Sequence, residues 1–322
     1  MKAIRIHRTG GPELLQLDDI ELPALAADQV RVRHTVIGVN FIDTYHRSGL
    51  YPLPLPAGIG SEAAGRIEAV GENIRTLKIG DRVAYTGVRG SYAEAQNIPA
   101  WQAVKLPDTI SDEVAAASML KGLTARYLLK ETLPVKAGQT IVFHSAAGGV
   151  GQIATQWAKH LGITVIGTVG SEDKIALAKA NGCAHVLNSR QDDWVKRVRE
   201  LTGGQGVPVV YDSIGKDTFM GSLDCLSVRG MLVYFGNSSG AVPPFEPLLL
   251  SQKGSLYLTR PTLASYTRNA EELQHGADDL FAVIASGKVK VAVNHRFKLS
   301  EARLAHEALQ SRRTTGATVL LP

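Results

Sequence analysis

The sequence is poor in the residues that build disulfide frameworks and thiolate metal sites. Its 322 residues include two cysteines, Cys183 and Cys225. Two cysteines exclude a disulfide network and a four-cysteine zinc site, and they favour a reducing, cytoplasmic compartment. A catalytic zinc needs three protein ligands within reach, whereas His34, His46 and His144 are scattered along the chain. We therefore expect a protein without a bound metal.

Long apolar runs and blocks of like charge are also missing. No apolar run approaches the roughly 18 residues that span a bilayer, and residues 1–7 alternate like a strand rather than a signal peptide. The net charge is +5, but the densest basic cluster, at 196–199, fits the solvated face of a helix. Nucleic-acid binding is therefore disfavoured, whereas a modest cationic excess suits a polyanionic cofactor.

The length of the chain favours two domains, since it exceeds what one hydrophobic core usually supports. Residues 1 to about 105 contain short strand-like runs separated by glycine and proline turns, which predict a β-rich unit. A polar-aromatic segment at 40–46 and a proline-rich loop at 51–56 interrupt these runs. We interpret them as one wall of a ligand cleft.

Strands and helices alternate from residue 140 onward, a pattern that predicts parallel strands joined by right-handed crossovers. Six such strands make a doubly wound Rossmann sheet. After it, a helix at 269–286, a helix capped by Ser300 and a strand at 317–321 return to the first domain. The predicted Rossmann strands are 140–144, 163–169, 184–187, 207–212, 231–235 and 255–259, and the helices are 149–161, 171–181, 191–202 and 216–226.

A glycine-rich turn follows the first of these strands. The G-x-G-x-x-G frame falls on Ala146, Gly148 and Gly151, so alanine replaces the first glycine. Free backbone N–H groups and the helix dipole favour a pyrophosphate at such a helix start. Tight packing without any ligand is the alternative. The strand–helix units that follow favour dinucleotide binding.

The end of the second strand predicts which dinucleotide binds. An NAD site usually places an acid there, about 20 residues after the glycines. Here the acids Glu172 and Asp173 fall in the first helical turn, while Ser171 and Lys174 suit a 2′-phosphate. The alternative is that Ser171 caps the helix and Lys174 is a surface residue. We predict NADPH.

Six short motifs occur in the two predicted domains: NFIDTY (40–45), RSGLYP (47–52), KGLT (121–124), AAGGVG (146–151), YDS (211–213) and FGNSSG (235–240). Together they resemble the motifs of the quinone oxidoreductases, the zinc-free, zeta-crystallin-like branch of the medium-chain dehydrogenase/reductase superfamily. The resemblance runs over essentially the whole chain. It implies an α/β protein with a GroES-like, β-rich catalytic domain at 1–122 and 263–322 and a doubly wound, six-stranded Rossmann NADPH-binding domain at 123–262. It also implies a homodimer, joined through the edge strand at 255–259.

The resemblance also implies which residues contact the cofactor. One departure concerns the third strand, where the family often has Asn-Tyr-Arg and this chain has Asn188, Ser189 and Arg190. Ser189 can donate one hydrogen bond but cannot stack, so we expect a larger contribution from Arg190. The other implied contacts are Asn40, Tyr45, Tyr127, Gly148, Gly149, Val150, Gly170, Ser171, Lys174, Phe235, Gly236, Asn237, Ser238 and Arg312.

The chemistry expected of this family needs few side chains. A quinone is a strong electrophile, and holding its ring against the nicotinamide accounts for much of the rate. Asn40, Tyr45 and Tyr51 are our candidate catalytic residues, because each can hydrogen-bond a developing oxyanion. Equally, the tyrosines can wall the cleft while Asn40 positions the nicotinamide ribose.

We therefore predict an NADPH-dependent quinone reductase that works without a metal. Reduction of an α,β-unsaturated aldehyde or ketone is the alternative within enzymes. A non-catalytic NADPH-binding protein, with a crystallin-like or RNA-binding role, is the alternative from another class.

Overall fold

A computed structural model describes residues 1–191, 193–311 and 314–322 of the chain. The chain forms two compact units. The first comprises Met1–Leu123, Thr267–Ala285 and Val291–Pro322, and the second comprises Thr124–Tyr266 and Ser286–Lys290. The predicted cofactor contact Arg312 lies outside the described residues.

The N-terminal part of the first unit is built mainly from strands whose apolar residues alternate with polar ones. On the longest of them, Val30 and Val32 are fully buried, as period-two patterning requires of a strand with one face on the core. The elements are β1 (Lys2–Ile6), β2 (Gln16–Asp19), β3 (Gln29–Val39), α1 (Phe41–Ser48), β4 (Ala57–Gly58), β5 (Glu62–Val70), β6 (Arg82–Thr86), β7 (Ala95–Pro99), β8 (Val104–Lys105) and α2 (Asp112–Tyr127).

The second unit alternates strands and helices. Its strands are short apolar runs, buried on both faces as in parallel sheets covered by helices. The elements are β9 (Thr140–Phe143), α3 (Gly149–His160), β10 (Thr164–Val169), α4 (Ile175–Ala180), β11 (His185–Asn188), α5 (Trp194–Leu201), β12 (Val207–Asp212), α6 (Phe219–Asp224), β13 (Leu226–Tyr234), α7 (Leu248–Gln252) and β14 (Tyr257–Thr259).

The sheet of the second unit is parallel, with the strand order β11-β10-β9-β12-β13-β14. Val142 on β9 lies between Ile166 on β10 and Val210 on β12, and all three are fully buried. The chain order reverses between β9 and β12, the position at which doubly wound sheets bind ligands beyond their strand ends. The predicted α/β class and six-stranded Rossmann sheet are confirmed.

The last part of the chain completes the sheet of the first unit. It forms α8 (Ala270–Ala285), β15 (Val293–Lys298), α9 (Ala302–Gln310) and β16 (Ala317–Leu321). Strand β16 pairs antiparallel with β3, and the sheet order is β15-β16-β3-β5-β6-β8, with β7 also paired to β3. Strands β2, β1 and β4 form a smaller sheet. No described helix has both the length and the apolar character needed to cross a membrane.

Two local elements add detail to the sequence analysis. The polar-aromatic segment at 40–46 is largely helix α1, which is followed by Gly49 in the left-handed conformation (φ 84°). The helix expected after Ser300 begins at Ala302, because a 3-10 turn at Leu299–Glu301 precedes it.

Candidate functional site

The glycine-rich turn joins β9 to α3 in the second unit. Ser145 adopts a positive φ of 55°, and the N-cap Gly148 is extended, so the chain turns sharply before α3 begins at Gly149. The Gly148 N–H donates to the Ser145 carbonyl (2.9 Å), whereas the N–H groups of Gly149 and Val150 are in the first helical turn and have no acceptor within the helix. These two amides fit an anion at the helix start.

Two positions of the frame show why small residues are needed. A Cβ at Gly151 would lie 2.3 Å from the Ser145 carbonyl oxygen, so the third position requires glycine. Ala146 is tolerated at the first position because Gly167 on β10 faces its methyl group, where a second Cβ would come within 2.8 Å. The alanine is therefore matched by a glycine on the neighbouring strand.

A buried network links the carboxyl ends of β9, β10 and β12. Ser222 donates to the Asp212 carboxylate (2.8 Å), so its oxygen accepts from Nε2 of His144 (3.0 Å). Nδ1 of His144 then accepts from the Thr168 hydroxyl (2.8 Å). Burial lowers the pKa of His144, which keeps the ring neutral and able to make both bonds. Sequence reasoning classed His144 as one of several scattered histidines and missed this role.

The expected 2′-phosphate site lies where β10 ends. The Arg190 guanidinium lies beside Gly170, since a Cβ there would be 3.7 Å from Nε of Arg190. Ser171 precedes the 3-10 turn Glu172–Lys174. Partial burial lowers the pKa of Lys174, and Arg190 lowers it further while Asp173 opposes the shift. One cation, Arg190, thus lies beside the end of β10 and a second, Lys174, lies in the turn that follows it, an arrangement that suits a bound phosphate.

The Ser189 hydroxyl has a hydrogen-bond acceptor within the protein. Its hydroxyl donates to the Val169 carbonyl (3.2 Å), so its single proton is already used within the protein. The neighbouring Asn188 side chain accepts from the Arg190 N–H (3.1 Å) and so fixes the backbone before the guanidinium. The structure favours Arg190, rather than Ser189, as a phosphate donor.

The remaining implied contacts of the second unit lie on a helix and on the loop after β13. The Tyr127 ring stacks on Tyr266 with centroids 4.3 Å apart, and burial raises the pKa of Tyr127. Phe235 lies 5.9 Å from the Phe143 ring. The loop continues through Gly236, Asn237 and Ser238, where a Cβ at Gly236 would lie 2.6 Å from the Ser213 carbonyl oxygen and the Asn237 amide oxygen accepts from the Tyr234 hydroxyl.

The three candidate catalytic residues lie together at α1 in the first unit. Asn40 is buried at the N-cap, and its backbone N–H donates to the Asp43 carboxylate (2.8 Å). The Tyr45 and Tyr51 rings meet edge to face with centroids 5.3 Å apart. The amide therefore lies at the start of α1, and the two phenols lie on the helix and just after it.

A buried carboxylate, Glu62, controls the Asn40 amide. Its Oε1 accepts from Nδ2 of Asn40 (2.8 Å) and from Nζ of Lys121 (2.9 Å), and its Oε2 accepts from the Leu120 N–H (2.6 Å). Gly38 makes room for it, since a Cβ there would lie 2.2 Å from Oε1. One N–H of the Asn40 amide is thus already used. Sequence reasoning missed Glu62, although Lys121 belongs to the KGLT motif.

A directional chain of hydrogen bonds supports α1 from the other side. Arg47 donates to Nδ1 of His306 (3.1 Å), so Nε2–H of His306 donates to the Tyr92 oxygen (3.0 Å), and Tyr92 donates to Asp43 (3.0 Å). Burial lowers the pKa of His306 to about 3 and raises the pKa of Asp43 to about 7. These groups hold α1, and the tyrosines on and after it, in one geometry.

Across the described ranges, no three His, Cys, Asp or Glu side chains are grouped so that they could hold a metal ion.

Comparisons with known proteins cover the whole chain. Residues 26–108 match the family described as alcohol dehydrogenase GroES-like domain, and residues 149–282 match the zinc-binding dehydrogenase family. The quinone oxidoreductase of Pseudomonas aeruginosa is 53% identical, over 100% of this chain and 99% of its own. A 2-haloacrylate reductase of a Burkholderia species is 44% identical, over 98% of each. The solved structure of Escherichia coli quinone oxidoreductase complexed with NADPH is 49% identical over 100% of both chains, with a TM-score of 0.99.

Proposed function

Because the chain belongs to the quinone oxidoreductase family of medium-chain dehydrogenases and reductases, we propose that it reduces quinones with NADPH. The observation that carries the proposal is the Arg190 guanidinium next to Gly170 at the end of the second Rossmann strand, with Lys174 in the turn that follows the strand. An NAD site would place a carboxylate there. A 2′-phosphate needs the positive charge that this pair supplies.

The second unit has the features that a dinucleotide needs. We assign the pyrophosphate to the amides of Gly149 and Val150 in the first turn of α3, next to Gly148. Lys174 and Arg190 would hold the 2′-phosphate, with Ser171 beside them. NADPH, when bound, supplies the hydride. We assign further cofactor contacts to Tyr127 and to the loop formed by Phe235, Gly236, Asn237 and Ser238.

The first unit supplies the residues that we assign to the substrate. Tyr45 and Tyr51 form an apolar edge with two hydroxyls, a surface that suits a flat ring carrying carbonyl groups. Asn40 uses one amide N–H on Glu62. We therefore assign Asn40 to orienting the bound reactants and the tyrosines to holding the ring, which together provide the proximity that hydride transfer requires.

The test is NADPH oxidation measured with a panel of quinones and, separately, with NADH. We expect turnover with quinones and a clear preference for NADPH over NADH. Equal activity with the two cofactors would contradict the role of Lys174 and Arg190, and NADPH binding without turnover of any acceptor would support the non-catalytic alternative.

A second candidate function is reduction of an activated C=C bond. The similarity to a 2-haloacrylate reductase at 44% identity favours it, since that substrate class also accepts a hydride at an electron-poor carbon. Enones, alkenals and 2-haloacrylates belong in the same panel. A kcat/KM that is higher for any of these than for every quinone would replace the quinone proposal.

We also propose the domain boundaries and the assembly that the resemblance implies. The domains are 1–122 with 263–322, and 123–262, in a cytoplasmic homodimer joined through β14. In support, β14 is the edge strand of its sheet and Tyr257 on it is 56% exposed. A proline at Tyr257 removes a backbone donor and should yield monomers. Light scattering that gives a monomer mass for the wild type at micromolar concentrations would contradict the dimer.

A further inference from the structure

Lys121 is a buried cation that the proposed function does not yet use. It lies on α2, its side chain is 7% exposed, and Glu62 Oε1 accepts from its Nζ at 2.9 Å. An ammonium carries three N–H groups. Within the described part of the chain, Glu62 is the one side chain that accepts a hydrogen bond from this ammonium. The ammonium can therefore donate further hydrogen bonds to a ligand.

Stability alone is a weak reason to bury this pair. Removing two charges from water is unfavourable, and apolar side chains of the same volume often serve a core as well or better. The fold nevertheless accommodates the pair. Gly38 leaves space for the Glu62 carboxylate, and the Leu120 N–H donates a hydrogen bond to it. Because packing does not require this ion pair, we look for its role in binding the reactants.

The position of Lys121 relative to Asn40 gives the role. Both donate to the same oxygen of Glu62, at 2.9 Å and 2.8 Å, so the ammonium is adjacent to the amide that we assign to the reactants. The Asn40 amide has one N–H committed to Glu62. In this cluster Lys121 is the donor that carries a full positive charge.

We propose that the Lys121 ammonium hydrogen-bonds the substrate oxygen that becomes negative when hydride is accepted. This inference rests on the proposed function. A hydride brings two electrons and one hydrogen to the quinone or enone, so one oxygen acquires a negative charge, which the ammonium balances. The proton stays on Lys121 in this step, and Glu62 keeps the pair neutral before the substrate binds.

The test uses two probes that do not react. 4-Nitrophenolate resembles the negative oxygen, and 4-nitroanisole has the same ring without a charge. Phenol and phenolate absorb differently, so titration of the protein–NADP⁺ complex reports both the Kd and the pKa of the bound probe. In the wild type we expect phenolate to bind more tightly than 4-nitroanisole, with a lowered pKa for bound 4-nitrophenol.

Replacing Lys121 should remove that preference. In K121M we expect phenolate binding to weaken by about tenfold or more, because a charge-assisted hydrogen bond is lost, while 4-nitroanisole binding changes by less than about twofold. The double variant K121M/E62Q removes both charges and avoids a lone buried carboxylate, so it should fold. It should show the same loss of phenolate binding as K121M. The control is K105M, since Lys105 is 54% exposed in its pair with Asp81.

The outcomes separate this inference from the function it rests on. Phenolate binding that depends on Lys121, in a protein that turns over neither quinones nor enones, would refute the proposed reaction and keep the anion site. Equal weakening of both probes in folded K121M and K121M/E62Q would overturn the inference. Failure of phenolate to bind the wild type would overturn it as well.

Discussion

Both units contain buried polar networks, and the networks differ in charge between the units. In the second unit, His144 is neutral and bonds the hydroxyls of Thr168 and Ser222, with Asp212 at the end of the network. In the first unit, the networks around α1 contain the charged groups Arg47, Glu62 and Lys121, together with Asp43, whose pKa burial raises to about 7.

This difference reflects what each unit presents to a ligand. Backbone N–H groups and nearby cations, here Lys174 and Arg190, suit the phosphates of a dinucleotide. The strands beneath, β9, β10 and β12, need only be held in place. Hydrogen bonds that end on a single carboxylate, Asp212, suffice for that. A reaction that moves charge requires charges that are already oriented, and the buried ion pair of Glu62 and Lys121 would supply them under the function that we propose.

The largest effect should come from breaking the charged network. Arg47 is 2% exposed and donates to the Gly10 carbonyl, to His306 and to Gln310. R47M leaves Nδ1 of His306 buried without a donor and removes the two partly buried hydrogen bonds to Gly10 and Gln310, which together should lower the free energy of unfolding by about 3–5 kcal/mol. Urea unfolding measures it. The control is R33M at an exposed pair with Glu68, for which we expect about 1 kcal/mol or less.

The pH dependence of stability should reveal two opposing groups. His306 has a folded pKa of about 3 against an ordinary value of 6.5, so acidification below pH 6.5 protonates the unfolded chain first and lowers stability. Asp43 has a folded pKa of about 7 against 3.8, so acidification from pH 7 to 4 protonates the folded state first and raises stability. Each contribution is about 3 kcal/mol near pH 4, and in the wild type they largely cancel.

Single variants expose the hidden contributions. In D43N the stabilising contribution is gone, so stability should fall more steeply than in the wild type between pH 6.5 and 4. In H306Q it should fall less steeply or rise. Unfolding curves at several pH values decide, and identical pH profiles for all three proteins would show that neither group titrates in this range.

The comparison also indicates what the sequence can predict. The Rossmann sheet was predictable because apolar runs and glycine turns are local patterns in the sequence. Gly151 is one such local signal, since the Ser145 carbonyl oxygen leaves no room for a side chain there. The networks were not, because their partners are distant in sequence: Lys121 and Glu62 are 59 positions apart, and His306 and Tyr92 are 214 apart. Ser189 illustrates the same limit, since only the fold shows that its proton goes to a strand carbonyl.

The preference for NADPH over NADH should fall when Lys174 or Arg190 in the second unit is replaced. K174A and R190A should each weaken NADPH binding by about 10- to 150-fold, the value of a charge-assisted hydrogen bond of about 1.5–3 kcal/mol. NADH lacks the 2′-phosphate, so its affinity should stay nearly unchanged. Fluorescence titration with both cofactors measures the effect. Equal weakening of NADPH and NADH would contradict the assignment of the two cations.

The smallest effect is expected at the position next to Arg190. Because the Ser189 hydroxyl donates to the Val169 carbonyl, it has no proton left for a phosphate. S189A loses one hydrogen bond that is only partly buried, so NADPH affinity should change by about twofold or less, and the melting temperature should fall slightly. The same titration applies, with R190A as the matched comparison. A loss in S189A as large as that in R190A would mean that the hydroxyl turns from the carbonyl to the phosphate when NADPH binds, and the neutral side chain would then share the role that we assign to the cations.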